Sequence, residues 1–277
     1  MEPVPRRPTL DEVGRDAFEG NLWIQELLDA LPLRFAVEEG HLRFADDHRS
    51  LGDEPPPRYR AAVRAVREGF DLGAFYEAAD DPADYTFVCE ATVHRQLPYD
   101  WGRLPAVVGV EVHDAGAGRW LSPDASERVY ERLGLASLNA FERELPARHF
   151  YPDRYEMPAS AWYDGPPAGI LVRDKNGTRG VRYATDYDPD ADPETDHRGT
   201  DDVRDRRDPT GLVEAYVTDE RLARAAEAAG DDSGFESVFE RVLESVFRET
   251  GAVVEDEDLR AFRSAAAERV QRWQGRE

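Results

Sequence analysis

The chain changes character at an acidic stretch, and this change limits the folds that it can adopt. Before residue 184, apolar residues come in short runs rich in β-branched and aromatic side chains, which is typical of strands. Residues 184–208 hold nine aspartates and few apolar residues, so we expect an exposed loop or linker there. Beyond Pro209, apolar residues recur at helical spacing. The sequence therefore predicts an α+β domain over residues 1–208 and a small helical domain over residues 209–277.

Several elements can be predicted individually. Apolar residues at helical spacing predict an amphipathic helix over Arg58–Phe70. Ser122 followed by Pro123 is typical of a helix N-terminus. Asn176-Gly177 is a strong hairpin turn signal. Strands are predicted over 22–24, 33–35, 41–44, 85–93, 106–112, 169–173 and 178–183.

The charge balance indicates a cell with a salty interior. The net charge is −23, the acids are mostly dispersed, and Lys175 is the single lysine. Such a surface fits molar salt, where the Debye length is about 3 Å and self-repulsion is screened. An acidic tail would instead concentrate its charge in blocks. We therefore expect a halophilic protein, for which an acidic surface does not exclude a nucleic-acid partner.

Other classes of protein are disfavoured by the sequence. No apolar run resembles a signal peptide or a membrane span, so a soluble cytoplasmic protein is expected. One cysteine, Cys89, excludes an internal disulfide, and its apolar neighbours predict a buried thiol. The six histidines show no metal-ligand spacing, so no metal site is predicted.

The order of short segments resembles the RNA ligase family of ATP-dependent covalent nucleotidyltransferases, in a haloarchaeal form. Five motif-like pieces occur in order between about residues 20 and 190. They are Leu22–Ala30 with Leu33–Phe35, Phe87–Glu90 with His94 and Tyr99-Asp100, Val108–Val112 with Gly118–Pro123, Ala168–Arg173, and Thr178–Tyr183. The resemblance implies a nucleotidyltransferase (ATP-grasp-like ligase) domain of antiparallel sheets with flanking helices.

The resemblance also implies a chemistry. In this family a lysine attacks the α-phosphate of ATP and forms lysyl-AMP, which is nucleophilic catalysis by an amine. Carboxylates bind Mg²⁺ and the ribose, and further lysines stabilise the transferred phosphate. AMP then passes to an RNA 5′-phosphate, which a 3′-hydroxyl attacks to seal the nick.

This sequence departs from the family pattern at the positions that carry charge. The motif Glu-Lys-x-Asp-Gly reads Glu26-Leu27-Leu28-Asp29-Ala30, so Leu27 stands at the nucleophile. Ala168 replaces the glutamate of the fourth motif, and Val181 replaces the lysine of the fifth. Val110 stands where an aromatic residue stacks on adenine, and Glu111 replaces the usual aspartate. No intact catalytic set is therefore expected.

Some residues remain candidates for binding a nucleotide or RNA. They are Glu26, Asp29, Arg43, Arg49, Glu90, Val110, Arg173 and Arg182, with Arg179 beside the last. For each of them an ordinary structural role stays open, such as a turn for Asp29 or a surface arginine. Lys175 is expected at an exposed hairpin tip, where burial cannot lower the pKa of its amine.

Three functions follow from these observations. The first is a catalytically inactive RNA ligase paralogue that binds a nucleotide or RNA ends. The second is an active ligase or nucleotidyltransferase, which either uses an unexpected nucleophile or seals RNA ends adenylylated by another enzyme. The third is a structural partner of another protein, such as an active paralogue, bound through the helical tail. Use of ATP and Mg²⁺, the RNA substrate and the oligomeric state are left open.

Overall fold

Two antiparallel sheets and two groups of helices make up the protein. The computed structural model describes residues 6–191, 209–230, 234–250 and 256–275. Its strands are β1 Asn21–Leu27, β2 Leu31–Glu38, β3 His41–Ala45, β4 Tyr85–Ala91, β5 Val107–Asp114, β6 Arg119–Trp120, β7 Ala140–Pro146, β8 Gly169–Arg173 and β9 Arg179–Tyr183. Its helices are α1 Leu10–Val13, α2 Pro57–Gly69, α3 Leu72–Ala78, α4 Pro123–Arg132, α5 Pro209–Tyr216, α6 Asp219–Ala229, α7 Phe235–Thr250 and α8 Asp256–Gln274.

The strands form a four-stranded sheet A and a five-stranded sheet B. Sheet A has the order β7-β1-β8-β9, and sheet B has the order β3-β2-β4-β5-β6. Neighbouring strands within each sheet run antiparallel. The two sheets belong to one compact unit, which comprises residues 1–56, 62–92 and 96–189.

The outer face of sheet B is built on aromatic packing. Phe35 of β2 and Phe87 of β4 stack with ring centroids 4.7 Å apart, and Phe70 and Phe75 meet Phe87 edge-on. Tyr130 of α4 is fully buried beside them, and its hydroxyl donates toward the carbonyl oxygens of Val88 and Glu111 at 2.8 and 2.9 Å. Such ring contacts stabilise a core beyond the area that they bury.

The outer face of sheet A is covered by the N-terminal segment and by residues near Phe150. Leu22 and Ile24 of β1 pack there with Leu10 of α1. Thr9 caps α1 in a reciprocal hydrogen-bond pair with Glu12. Just before α1, the chain runs along the edge of the sheet, and Thr9 forms a parallel bridge with Val181 there. The edge strand β9 is thereby partly paired, which protects it from pairing with another chain.

A second compact unit contains the four C-terminal helices, with residues 57–61, 93–95 and 190–277. Its core includes Phe239, Val242 and Phe262, and Phe235 and Trp273 pack against that core. The apolar face of α7 therefore packs in the core of this unit. Within the described ranges, none of the helices has the length and apolar character required to cross a bilayer.

Most predicted elements are confirmed, and the differences are local. The helix over Arg58–Phe70 is α2, and the hairpin around Asn176-Gly177 joins β8 to β9 with Gly177 at a φ of 99°. Ser122 does precede α4, but its hydroxyl donates to Asp124 instead of capping a backbone N–H. The sequence did not single out α1, α3, β6 and β7, which are short or lack a clear apolar period, nor α5, although helices were expected beyond Pro209. Most of the predicted 184–208 linker lies outside the described residues, so the boundary at 208 stays a prediction.

Candidate functional site between the two sheets

Sheets A and B face each other across a shared inner space. Side chains alternate along a strand, so the antiparallel registers identify which residues share a face. Sheet A contributes Gln25, Leu27, Leu171, Arg173, Arg179 and Val181, and sheet B contributes Val88, Glu90, Val108, Val110 and Glu111. A register shift in the pairing of β4 with β5 inserts Val110, so that it shares this face with its neighbour Glu111. These residues form a polar cluster and an apolar cluster, which we describe in turn.

The polar cluster joins three arginines to two glutamates. Glu111 of β5 accepts from Arg179 Nη1 at 2.8 Å and lies 3.8 Å from Arg173 Nη1. Arg7, from the N-terminal segment, donates to Glu90 at 2.7 Å and lies 3.6 Å from Glu111 Oε2. The pairs of Arg173 and Arg179 cross from sheet A to sheet B, and those of Arg7 join the N-terminal segment to sheet B.

Neutral groups complete the coordination of the arginines. Gln25 Oε1 accepts from Arg173 Nε and Nη2 at 2.9 and 2.6 Å. The guanidinium of Arg179 lies 4.3 Å from the ring centre of Trp120, which is a cation–π contact. Three guanidinium groups are therefore paired with two carboxylates, and Asp47 is a further acidic neighbour of Arg7 and Glu90.

The pKa values of the two glutamates are shifted in opposite directions. Burial alone would raise the pKa of Glu111, but Arg173, Arg7 and Arg179 outweigh it and hold that pKa below its usual value. Burial raises the pKa of Glu90, and Arg7 offsets only part of the effect. Burial also lowers the pKa of Arg173 to about 10, against the pull of Glu111. Glu111 is therefore the carboxylate whose ionised form the cluster favours.

The apolar cluster brings three of the substituted motif positions together. Leu27, Val110 and Val181 pack in one buried cluster with Tyr99 and Leu171. Leu27 ends β1 opposite Gly169 and is 8% exposed. An aliphatic side chain in such surroundings has no group that could attack a phosphate or stabilise its charge.

Lys175 lies far along sheet A from Leu27. The four steps of strand from Gly169, opposite Leu27, to Arg173 already span about 13 Å. Lys175 follows in the hairpin turn, is 45% exposed, and pairs with Glu144 at 2.6 Å. The amine is solvated at the other end of the strand, as the turn signal predicted.

Glu26 and Asp29 serve as local anchors away from the polar cluster. The Glu26 carboxylate accepts from Ser160 at 2.5 Å and from Asn139 and the Ala161 amide at 3.1 Å. Burial raises the pKa of Glu26, and these donors oppose the rise.

Asp29 is enclosed by donors of its own. Its carboxylate accepts from the amides of Gln96 and Leu97 at 2.7 and 2.8 Å, and from the Tyr187 hydroxyl at 2.8 Å. The turn role for Asp29 that the sequence left open agrees with these contacts.

The remaining candidates are divided between the two sides of the sheets. Arg182 faces the outer side of sheet A, where it donates to the carbonyl oxygens of Pro152 and Tyr155. Ala168 is buried just before β8. Arg43 lies on the inner side of sheet B by its register with Ala36, is 49% exposed, and lies 3.7 Å from Asp53. Arg49 is exposed in the loop after β3, 3.9 Å from Asp46.

Solved structures of RNA ligases are similar to this architecture. The chain is similar to Naegleria gruberi RNA ligase with PPi, with a TM-score of 0.52 and 10% identity over 66% of this chain and 56% of that one. A lysine-to-alanine mutant of that ligase with ATP and Mn gives a TM-score of 0.51 at 10% identity, over 65% and 55% of the two chains. The fold is that of an RNA ligase nucleotidyltransferase domain.

An archaeal ATP-dependent RNA ligase also matches, over 98% of this chain and 63% of its own length, at 13% identity and a TM-score of 0.49. The chain thus spans less than two thirds of the length of these ligases. No family model and no curated protein matches it.

The residues do not fit the Mg²⁺–ATP site that the resemblance to the ligases implies. The carboxylates of Glu90 and Glu111 are engaged by guanidinium groups, and Ala168 and Val181 carry no ligand atom in their side chains. Within the described ranges, no three His, Cys, Asp or Glu side chains are grouped to hold a metal ion. Magnesium binds through oxygen ligands, and the two carboxylates of the polar cluster are already paired with arginines.

Sequence reasoning missed two members of the polar cluster. Arg7 lies in a Pro/Arg-rich segment without periodicity, and no local signal indicates that it reaches between the sheets. Gln25 directly precedes the motif that drew attention, and only the strand alternation places it beside Arg173. For the fifth motif, the alternation of β9 indicates that Arg179, and not Arg182, shares a face with Val181.

Proposed function

We propose that this RNA ligase-fold protein does not form a covalent AMP intermediate and instead binds a nucleotide or RNA ends. The observation that carries the proposal is the apolar enclosure of Leu27 with Val110 and Val181. Nucleotidyl transfer by this chemistry needs an activated amine. The single lysine of the sequence is exposed and ion-paired in a distant turn.

Ligand binding is supported by the charge of the inner space. Three guanidinium groups are gathered there, and arginines that meet in one site can bind an anionic ligand through charge-assisted hydrogen bonds. Arg43 lies on the same side of sheet B and is half exposed. The fork of an arginine matches a phosphate in two-point contact. A 5′-phosphate on RNA is the ligand that these groups suit best.

The proposal is tested with α-³²P-ATP, Mg²⁺ and the full chain in buffers containing molar KCl. After denaturation we expect no label on the protein above that of a heat-inactivated sample, because the sequence places no amine at the apolar cluster. In parallel, a pre-adenylylated RNA is offered beside a 3′-hydroxyl strand, and no joined product is expected. A 5′-phosphorylated oligonucleotide should bind more tightly than the same strand with a 5′-hydroxyl.

Each of the three measurements has a result that would overturn part of the proposal. Label that survives in Lys175→Arg would reveal a nucleophile other than lysine, and label lost in that variant would identify Lys175. Joined RNA without label on the protein would favour the ligase that seals ends made elsewhere. Equal binding of the two oligonucleotides would remove the support for an RNA-end binder.

We also propose that the protein works in a cytoplasm at molar salt, because its net charge is −23 with a single lysine. Screening relieves the repulsion between dispersed carboxylates. The midpoint of thermal unfolding is expected to rise by several degrees between 0.1 and 2 M KCl, as followed by circular dichroism. A midpoint that stays level or falls would contradict the salt adaptation without bearing on ligand binding.

A further inference from the structure

A cavity of about 410 Å³ lies beside α1 on the outer side of sheet A, within the first compact unit. Its lining includes Leu10, Asp11, Arg15, Tyr151, Asp153 and Arg154. Pockets for small molecules usually have volumes of roughly 300–1,000 Å³ and combine apolar walls with a few polar groups. The size and the mixed lining therefore suit a small organic ligand.

The cavity is separate from the space between the two sheets. Gly180 lies between Arg179 and Val181 in β9 and therefore faces the outer side, because side chains alternate along a strand. A Cβ at Gly180 would lie 2.7 Å from a methyl carbon of Leu10, so Leu10 of the lining packs on that outer side. A ligand in this cavity therefore does not occupy the inner space of the proposed RNA-end site.

Charged groups of both signs line the cavity without pairing with one another. Arg15 and Arg154 supply two guanidinium groups, and Asp11 and Asp153 supply two carboxylates. Among the described residues, no nitrogen of these two arginines lies within 4.0 Å of a carboxylate oxygen, whereas the nearby Arg6 has such a partner at 2.8 Å. Opposite charges that share a cavity without touching keep donors and acceptors free for a ligand.

The ring of Tyr151 lies among these charges and is 48% exposed. The guanidinium carbon of Arg15 is 4.2 Å from the ring centre, and that of Arg154 is 5.8 Å away. Arg15 is held in place, because its Nε donates to the carbonyl oxygen of Phe150 at 2.7 Å and its Nη2 to that of Arg148 at 2.8 Å. The cavity thus combines a positioned cation with an accessible aromatic ring.

We propose that this cavity binds an α-amino acid with an aromatic side chain. An anion alone would be repelled by the two carboxylates and a cation alone by the two guanidinium groups, whereas a zwitterion finds a counterpart for each of its charges. The ligand carboxylate would accept from Arg15 and Arg154, whose forked donors match it. The ligand ammonium group would donate to Asp11 and Asp153. The aromatic side chain would pack against Tyr151.

The test is calorimetric titration of the full chain in molar KCl with L-phenylalanine, phenethylamine and phenylpropionate. The three compounds share a phenyl ring, but phenethylamine lacks the carboxylate and phenylpropionate lacks the ammonium group. L-phenylalanine is expected to bind roughly tenfold more tightly than either analogue, because each analogue leaves two charges of the cavity without a counterpart. An analogue that binds as tightly as L-phenylalanine would mean that one charge sign alone is recognised, which overturns the proposal.

Substitutions at the rim of the cavity connect the binding to these residues. Arg154→Gln and Asp153→Asn each remove one charge from an exposed lining residue, and each is expected to weaken L-phenylalanine binding by about fivefold or more. Arg148→Gln and Asp16→Asn are the matched controls, since both residues are exposed and lie outside the lining, and they should change the affinity less than twofold. Thermal unfolding checks that every variant folds, and the comparison of the three compounds on wild type decides the matter if one does not. Absence of L-phenylalanine binding, or equal losses in the lining and control variants, overturns the proposal and leaves RNA-end binding untouched.

Discussion

Replacing Glu111 by alanine is expected to lower the free energy of unfolding by about 3–5 kcal/mol, because it leaves buried guanidinium groups without their shared carboxylate. Glu111 lies within 4 Å of Arg173, Arg179 and Arg7, and it is itself buried. Urea unfolding of wild type and variant at pH 7 measures the loss. A change below about 1 kcal/mol would mean that solvent reaches the cluster.

A surface pair of similar length provides the control. Arg43 Nη1 lies 3.7 Å from Asp53, whose side chain is 96% exposed, so Asp53→Ala is expected to cost about 1 kcal/mol or less. Lower pH offers a second check. Since the folded pKa of Glu111 lies below its unfolded value of about 4.3, its contribution is present above that pH and lost as pH falls through the folded pKa. The gap between wild type and Glu111→Ala should therefore shrink in acid.

Gly109→Ala is expected to cost about 3 kcal/mol, because the new methyl group would overlap the ring of Tyr130. A Cβ at Gly109 would lie 2.4 Å from three ring atoms of Tyr130. That ring is fully buried, and its hydroxyl bonds hold it against β4 and β5, so it has little room to move. Thermal and urea unfolding measure the effect.

Gly69→Ala separates this overlap from the general effect of adding a methyl group. Gly69 ends α2, and a Cβ there would make ordinary contacts at 3.4 Å and beyond. Its replacement should change stability by less than about 1 kcal/mol, since alanine favours the helix. If both glycine variants were equally stable, β5 and α4 would pack more loosely than the structure has them.

Much of the fold could be predicted from local sequence signals. The period of α2 and the turn at Asn176-Gly177 are set by neighbours in sequence, and both elements form as expected. By contrast, β7 carries charged residues over Glu142–Glu144, and it is a strand because β1 pairs with it. Its partner strand lies more than a hundred residues away in the sequence. No local pattern can therefore predict this pairing.

The candidate site shows the same division. The substitutions at Leu27, Val110 and Val181 are visible in the sequence, but each is an ordinary apolar residue when taken alone. Their meaning depends on packing in one cluster, which needs both sheets. Four members of the polar cluster were candidates in the sequence, but no local pattern indicates that Arg7 reaches Glu90 across 83 positions.

The sequence by itself determined which chemical groups this protein has: a single amine side chain, many carboxylates, and arginines in place of lysines. It also determined the strands and helices whose residues signal them locally. Only the tertiary structure decided which groups meet. Side-chain alternation directs Arg179 into the space between the sheets and Arg182 to the outer face of sheet A, where it donates to backbone carbonyl oxygens. The physical reason is that hydrogen-bonded registers and buried charge pairs join distant segments, and their energies depend on distances that the linear order of residues does not contain.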